Sequence, residues 1–207
     1  MRFLSAFCAA LAFPAFAFAA CQGPQGLPEP GPELPASEGQ FHFQAGRGLG
    51  CMLAHDQGEA MRKHERGVSF LSCLRIGPIG VGDSLAQVEA VLGPAAASTD
   101  LDMSSESRLY EVAQKGVLRP HYVVTYREDH VVAVQLIGPP MRLPAYFSGL
   151  TLGDDVQKVV DRLGPPAQRC RTRSEGPEMW IWRSFPIALD VIEGYVAGFK
   201  VTWPAGK

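Results

Sequence analysis

Cys170 stands in the stretch QRCRTR, flanked by Arg169, Arg171 and Arg173. Cations that close favour a thiolate, which makes this sulfur a candidate for thiol-redox or other nucleophilic chemistry. The plainer reading is a structural cysteine in an exposed basic loop. His42, His55, His64, His121 and His130 could act as metal ligands or bases, but none forms an H-x3-H pair and no C-x2-C accompanies them. His55 and His64, beside Asp56 and Glu65, fall in a polar stretch that reads as a solvated loop. There is no G-x-S-x-G elbow, no phosphate loop and no nucleophile–base pair recognisable by spacing. The expectation is a non-enzymatic protein without cofactor or metal, with a thiol-redox or other enzyme using Cys170 as the alternative. A net charge of −2 gives no reason to expect a nucleic-acid partner. Arg62-Lys63, Arg66 and the arginines around Cys170 could meet anionic lipid or peptidoglycan, although clusters of this size are usually just solvated.

The remaining cysteines bear on export. MRFLSAFCAALAFPAFAFAA (1–20) has one Arg, an apolar run too short to span a bilayer and small residues at its end, as a secretory signal peptide does. Two cleavages compete. Ala17-Phe18-Ala19 suits ordinary signal peptidase and a periplasmic or secreted protein. Phe18-Ala19-Ala20-Cys21 resembles a bacterial lipobox, in which Cys21 would be lipidated and the protein held at the outer membrane; Phe18 and Pro14 depart from that pattern. Beyond Cys8 in the leader, Cys21, Cys51, Cys73 and Cys170 could form two disulfides, whereas a lipidated Cys21 would leave one thiol over. Cys51 and Cys73 enclose HDQGEAMRKHERG, which has too little apolar content to hold itself, so a Cys51–Cys73 disulfide is expected.

The elements that must position these residues follow from pattern. Residues 21–40, rich in Pro and Gly, read as an extended tether. Residues 41–78 hold the alternating FHFQ, a Gly-rich turn, the Cys-flanked loop and VSFLSCLRIG, which reads as a strand. Then GDSLAQVEAVLGPA (82–95) and GDDVQKVVDRLGPP (153–166) share Gly, Asp, Val, Leu, Gly and Pro. The first predicts a helix capped by Asp83 or Ser84, with Leu85, Val88, Val91 and Leu92 on one face and Gly93-Pro94 as stop. The second has Asp154 or Asp155 as cap, a face of Val156, Val159 and Leu163, and Gly164-Pro165 as stop. YREDHVVAVQL and VIEGYVAGFKV also correspond, each as two strands about a tight turn at Glu128-Asp129 or Glu193-Gly194. The expected fold is α+β: two tandem αβ repeats, 79–140 and 148–203, each a short helix on a small antiparallel hairpin sheet.

The helix pattern, with Gly82, Val88, Leu92, Gly93 and Pro94 in one copy and Gly153, Val159, Leu163, Gly164 and Pro165 in the other, resembles the SmpA/OmlA (BamE-like) small envelope lipoprotein family. Its tandem duplication resembles the β-lactamase inhibitor protein fold. The resemblance implies non-enzymatic bacterial envelope proteins that bind other proteins through an open sheet face. Its motif residues are caps, turns and core, so they carry no chemistry to transfer.

Strand parity supplies a candidate face. Val132, Val134 and Leu136, with Ala197, Phe199 and Val201, should pack on the helices. The opposite parity presents Thr125, Arg127, Gln135, Asp190, Lys200 and Thr202, with Ala133, Ala188 and Gly198 between them, as the expected binding residues for another envelope protein. An ordinary wet sheet face would look the same. An outer-membrane lipoprotein supporting envelope assembly is the alternative within the binding class. Trp180 and Trp182 share one side of a strand and Trp203 is in register with Phe199 and Val201, which reads as core unless they are interface anchors.

Overall fold

Two turns set the register of the sheet. Glu128 and Asp129 both have positive φ, as do Glu193 and Gly194. Left-handed geometry at both central residues is what a type I′ turn requires, and its twist matches that of the strands it joins. The turns connect β7 (His121–Arg127) to β8 (His130–Ile137) and β11 (Ile187–Ile192) to β12 (Tyr195–Thr202). In each hairpin the register shifts near the turn: opposite Thr125/Tyr126, where Val132 is the extra residue, and opposite Asp190/Val191, where Ala197 is. The carbonyls of these two residues accept the N–H groups of Trp203 and Gly138, so the bulges leave no carbonyl idle.

The computed structural model describes residues 39–53, 70–112, 119–140, 146–171 and 176–203. The expected leader and Cys21, the tether up to residue 38, and His55, His64, Arg62, Lys63, Arg66 and Arg173 lie outside the described residues. The order is β1 (Gly39–Gln44), β2 (Gly48–Leu53), a 3-10 turn (Leu71–Cys73), β3 (Arg75–Ile76), β4 (Ile79–Gly80), α1 (Leu85–Leu92), β5 (Ala97–Asp100), β6 (Ser105–Glu111), β7 and β8. Then come α2 (Val156–Leu163), β9 (Gln168–Arg171), β10 (Glu178–Trp182), β11 and β12.

The helix-on-hairpin repeats are not what forms. Eight strands make one antiparallel sheet in the order β5-β6-β7-β8-β12-β11-β10-β9, accompanied by two short helices and the small hairpins β1–β2 and β3–β4. The fold is therefore mostly β. The SmpA/OmlA-like and β-lactamase-inhibitor-like reading falls with it. The residues that carried the reading are a cap, an apolar face and a Gly-Pro stop, which any eight-residue helix can use. Segments 79–140 and 148–203 contribute strands to one sheet, joined where β8 pairs with β12 from Ala133↔Thr202 to Ile137↔Gly198. Three strands carry no sequence signal of their own, since β5 (ASTD), β6 (SESRLYE) and β9 (QRCR) are polar and lack a clear apolar alternation.

Both helices lie on one face of this sheet. Ser84 caps α1 in a capping box with Gln87, while Asp83 accepts from the Gly80 N–H and pairs with Arg75 at 3.2 Å. Asp155 caps α2, and Asp154 accepts from the Thr151 N–H. Gly82 N–H donates to the Val131 carbonyl, Val131 N–H to Asp83 and Leu85 N–H to Asp129. Gly153, Val196 and Val156 donate in the same way to Val196, Asp154 and Gly194. Each helix start is thus stitched to its hairpin turn by backbone alone. Val88, Val159 and Leu163 are buried with Tyr122, Val124, Val134, Leu136, Phe199 and Val201, each contributing about 1.5–3 kcal/mol. Val91, expected on the same face, is 57% exposed. At about 100° per residue it lies roughly 100° from Leu92, off the edge of the apolar stripe.

Trp180, Trp182 and Trp203 are buried in this core, and the Trp182 Nε1–H donates to the carbonyls of Leu163 and Gly164. The β1–β2 hairpin sits against α2 through Arg162, which donates to Gln40 and to the Ser148 carbonyl, and its Phe41 meets Phe147 and Phe185 outside that helix. VSFLSCLRIG is not a strand over its described part, Phe70 onward. It forms the 3-10 turn and the two-residue β3, and its Cys73 is tied to Cys51 on β2. Cys51 and Cys73 are disulfide-bonded, 22 residues apart, with Cα atoms 5.9 Å apart.

Two stability measurements test this packing. Replacing Cys51 and Cys73 together by Ser should lower the urea midpoint by the equivalent of about 3 kcal/mol, the loop-closure value for a ring of this size. Leu163→Ala should cost about 2–5 kcal/mol. Val91→Ala should stay within about 0.5 kcal/mol; an equal loss at both would place Val91 in the core.

Candidate functional site

The face turned away from the helices is read from cross-strand pairs. One row runs Leu109↔Val123↔Gln135↔Lys200↔Ala188↔Ile181 from β6 to β10. A second runs Ser107↔Thr125↔Ala133↔Thr202. A third runs Ile137↔Gly198↔Asp190↔Met179↔Cys170 and ends on the edge strand β9. The six residues expected to form a binding face therefore lie on the four neighbouring strands β7, β8, β12 and β11 and point to one side.

They are not equally open. Thr125, Arg127, Gln135, Asp190 and Lys200 are half-buried, but Thr202 is 5% exposed and offers little surface, against its expected role. Ile181 and Ala188, on the same face, are 6% and 2% exposed. Parity says which way a side chain points; how much of it meets solvent depends on its neighbours.

The polar groups are partly spoken for. Thr125 and Ser107 share a hydroxyl hydrogen bond of 2.8 Å, and Arg127 Nε donates to Ser105 Oγ at 3.3 Å. Gln135 Nε2 donates to Asp190 Oδ2 at 3.3 Å. Burial pushes the Asp190 carboxyl above the ordinary carboxylate range, while the Gln135 amide and the Lys200 ammonium pull it part of the way back. Gly198 was expected to leave room for a partner. A Cβ there would stand 3.0 Å from Asp190 Oδ2 and 3.3 Å from the Leu136 carbonyl, so the space already belongs to the Asp190 side chain. The arrangement is a set of donors and acceptors of mixed charge on one face of a sheet. It suits recognition, and no nucleophile–base pair is formed among these side chains.

Sequence reasoning missed an acidic cleft where the β5–β6 and β7–β8 turns meet. Asp100, Asp102, Ser104, Ser105, Glu106, Tyr126, Glu128 and Asp129 line about 440 Å³ at the β5–β6 and β7–β8 turns. The Ser104 backbone N–H donates to Asp102 at 2.8 Å and holds that carboxyl below its ordinary range, with Arg127 adding to the effect. The cleft assembles residues from two turns that no local pattern connects. Among the described residues no group of three His, Cys, Asp or Glu is placed to hold a metal ion.

Cys170 is not in a loop. It is half-buried on β9 opposite Met179, and it is disulfide-bonded. Its neighbour Arg169 points to the other face and stacks on the Trp180 ring, 4.0 Å from the centroid, so that guanidinium is engaged elsewhere.

No protein-family model matches this chain, and no curated protein matches it. A crystal structure of a cysteine-rich secretory protein from Staphylococcus aureus aligns with 59% of this chain at 13% identity and a TM-score of 0.41. The alignment spans 44% of that protein's own length.

The Asp190 site generates a pH dependence. Its carboxyl binds a proton more tightly folded than unfolded, so ionisation costs stability as pH rises through the folded value. Asp190→Asn should be more stable than the parent at pH 7, and the difference should close as pH falls to the ordinary carboxylate range. Parallel denaturation curves from pH 4 to 7 measure this; a variant less stable at neutral pH would show the ionised form to be favoured by its surroundings.

Proposed function

We propose that this chain is an exported bacterial envelope protein that binds another protein, without catalysis, through the sheet face opposite its helices. One observation supports the reading most. Thr125, Arg127, Gln135, Asp190 and Lys200 are half-exposed, mixed in charge and gathered on four adjacent strands, on the side where neither helix lies. Eight strands about 4.8 Å apart, four to eight residues and so roughly 13–27 Å long, offer a surface of roughly 700–800 Å². That approaches the ~800 Å² per partner of a specific complex, which a lone hairpin could not supply. Charged groups set orientation and encounter rate more than affinity, so Arg127 and Lys200 are the residues on which register with a partner should depend.

A photo-cross-linking residue placed at position 125 or 200 should capture a discrete envelope protein in the native compartment, whereas one at Lys158 on α2 should not. The double variant Arg127→Glu/Lys200→Glu should keep its stability within about 0.5 kcal/mol and lose that product. An unfolded double variant would refute the face assignment. A folded one that still cross-links would move binding elsewhere.

A further inference from the structure

Cys170 is in a disulfide, and among the described residues Cys51 and Cys73 are already joined to each other. The chain has two other cysteines, Cys8 and Cys21. Cys8 lies within the expected leader and would leave with it. We propose that the partner of Cys170 is Cys21, so that Cys21 serves as a disulfide anchor and is not a lipid attachment site. This rests on the export reading above, because only an oxidising compartment keeps such bonds.

The two fates of Cys21 exclude each other chemically. Lipidation turns its sulfur into a thioether, which can neither lose a proton nor form an S–S bond. Disulfide formation takes two thiols to one S–S bond. Two protons and two electrons pass to a disulfide donor of the exchange class, which leaves as its dithiol.

The geometry permits the link without disturbing the fold. Gly39, where β1 begins, follows Cys21 by about 18 residues, a span of up to roughly 60 Å when extended. The start of β1 lies against α2: Arg162 Nη2 donates to Gln40 Oε1 at 2.6 Å, and Phe43 packs where a Cβ on Gly164 would stand. The chain leaves α2 at Leu163 and enters β9 at Gln168, so β1 and Cys170 flank the same turn. Cys170 ends the cross-strand row that includes Asp190. Cys170, and with it the disulfide it forms, therefore stands at the rim of the proposed binding face.

The test is peptide mapping of the protein made with its own leader, alkylated before digestion and never reduced, together with its intact mass. The expected result is two linked peptides, Cys51–Cys73 and Cys21–Cys170, and a mass without acyl chains. Cys21→Ser and Cys170→Ser should each expose one new alkylatable thiol and leave the protein in the soluble fraction. An acylated Cys21, a Cys8–Cys170 peptide, or alkylated Cys21 and Cys170 beside an intact Cys51–Cys73 would each overturn the proposal while leaving export standing. Alkylation of all four would overturn export as well.

Discussion

The pairing of β8 with β12 is the interaction on which the rest depends. Each is the last strand of a four-stranded meander, and each would otherwise present a full-length edge of unpaired N–H and C=O groups. Joined from Ala133↔Thr202 to Ile137↔Gly198, they place Val134 opposite Val201 and Leu136 opposite Phe199 at the centre of the core. The strands left at the two edges, β5 and β9, are four residues long and polar. Short, charged edges are how sheets avoid adding foreign strands.

This joint also makes the two faces unequal. The stitched helix starts, the Trp182 indole on α2 and the Phe41–Phe147–Phe199 ring contacts all fall on one side. Core formation is complete there, with Val88, Val159 and Leu163 fully buried. The other side carries the hydroxyl pair Ser107–Thr125, the Gln135–Asp190 bond and Lys200. On that side burial penalises the Asp190 carboxylate, and the Gln135 amide and the Lys200 ammonium offset part of the cost.

A covalent bond acts where regular secondary structure is sparse among the described residues, although Leu71, Cys73, Leu74 and Ile76 are buried in the core. The stretch from β2 to β3 has a single 3-10 turn and the two-residue β3 as regular structure among its described residues, and the Cys51–Cys73 bond ties it to the β1–β2 hairpin. Gly39 lies so close to both sulfurs that a Cβ there would come within 2.6 Å of Cys73 Sγ. The hairpin is then bound to α2 through Arg162, so the disulfide indirectly steadies the helix that buries Leu163.

What was legible in the sequence is what short-range physics controls. Both helix caps and stops, the Glu128-Asp129 and Glu193-Gly194 turns, the facing of Val134, Leu136, Phe199 and Val201, the burial of the tryptophans and the Cys51–Cys73 bond follow from residue types at fixed local spacing. The single eight-stranded sheet does not. Strand pairing is made by backbone groups that every residue carries, so neither the β8–β12 joint nor the polar strands β5, β6 and β9 have a local signature. Exposure was equally non-local: Thr202 and Ile181 share the parity of Lys200 and yet are buried. The residues themselves determined local turns, caps and side-chain direction. The tertiary structure decided which strands are neighbours and which surface remains, because those depend on contacts between segments far apart in the chain.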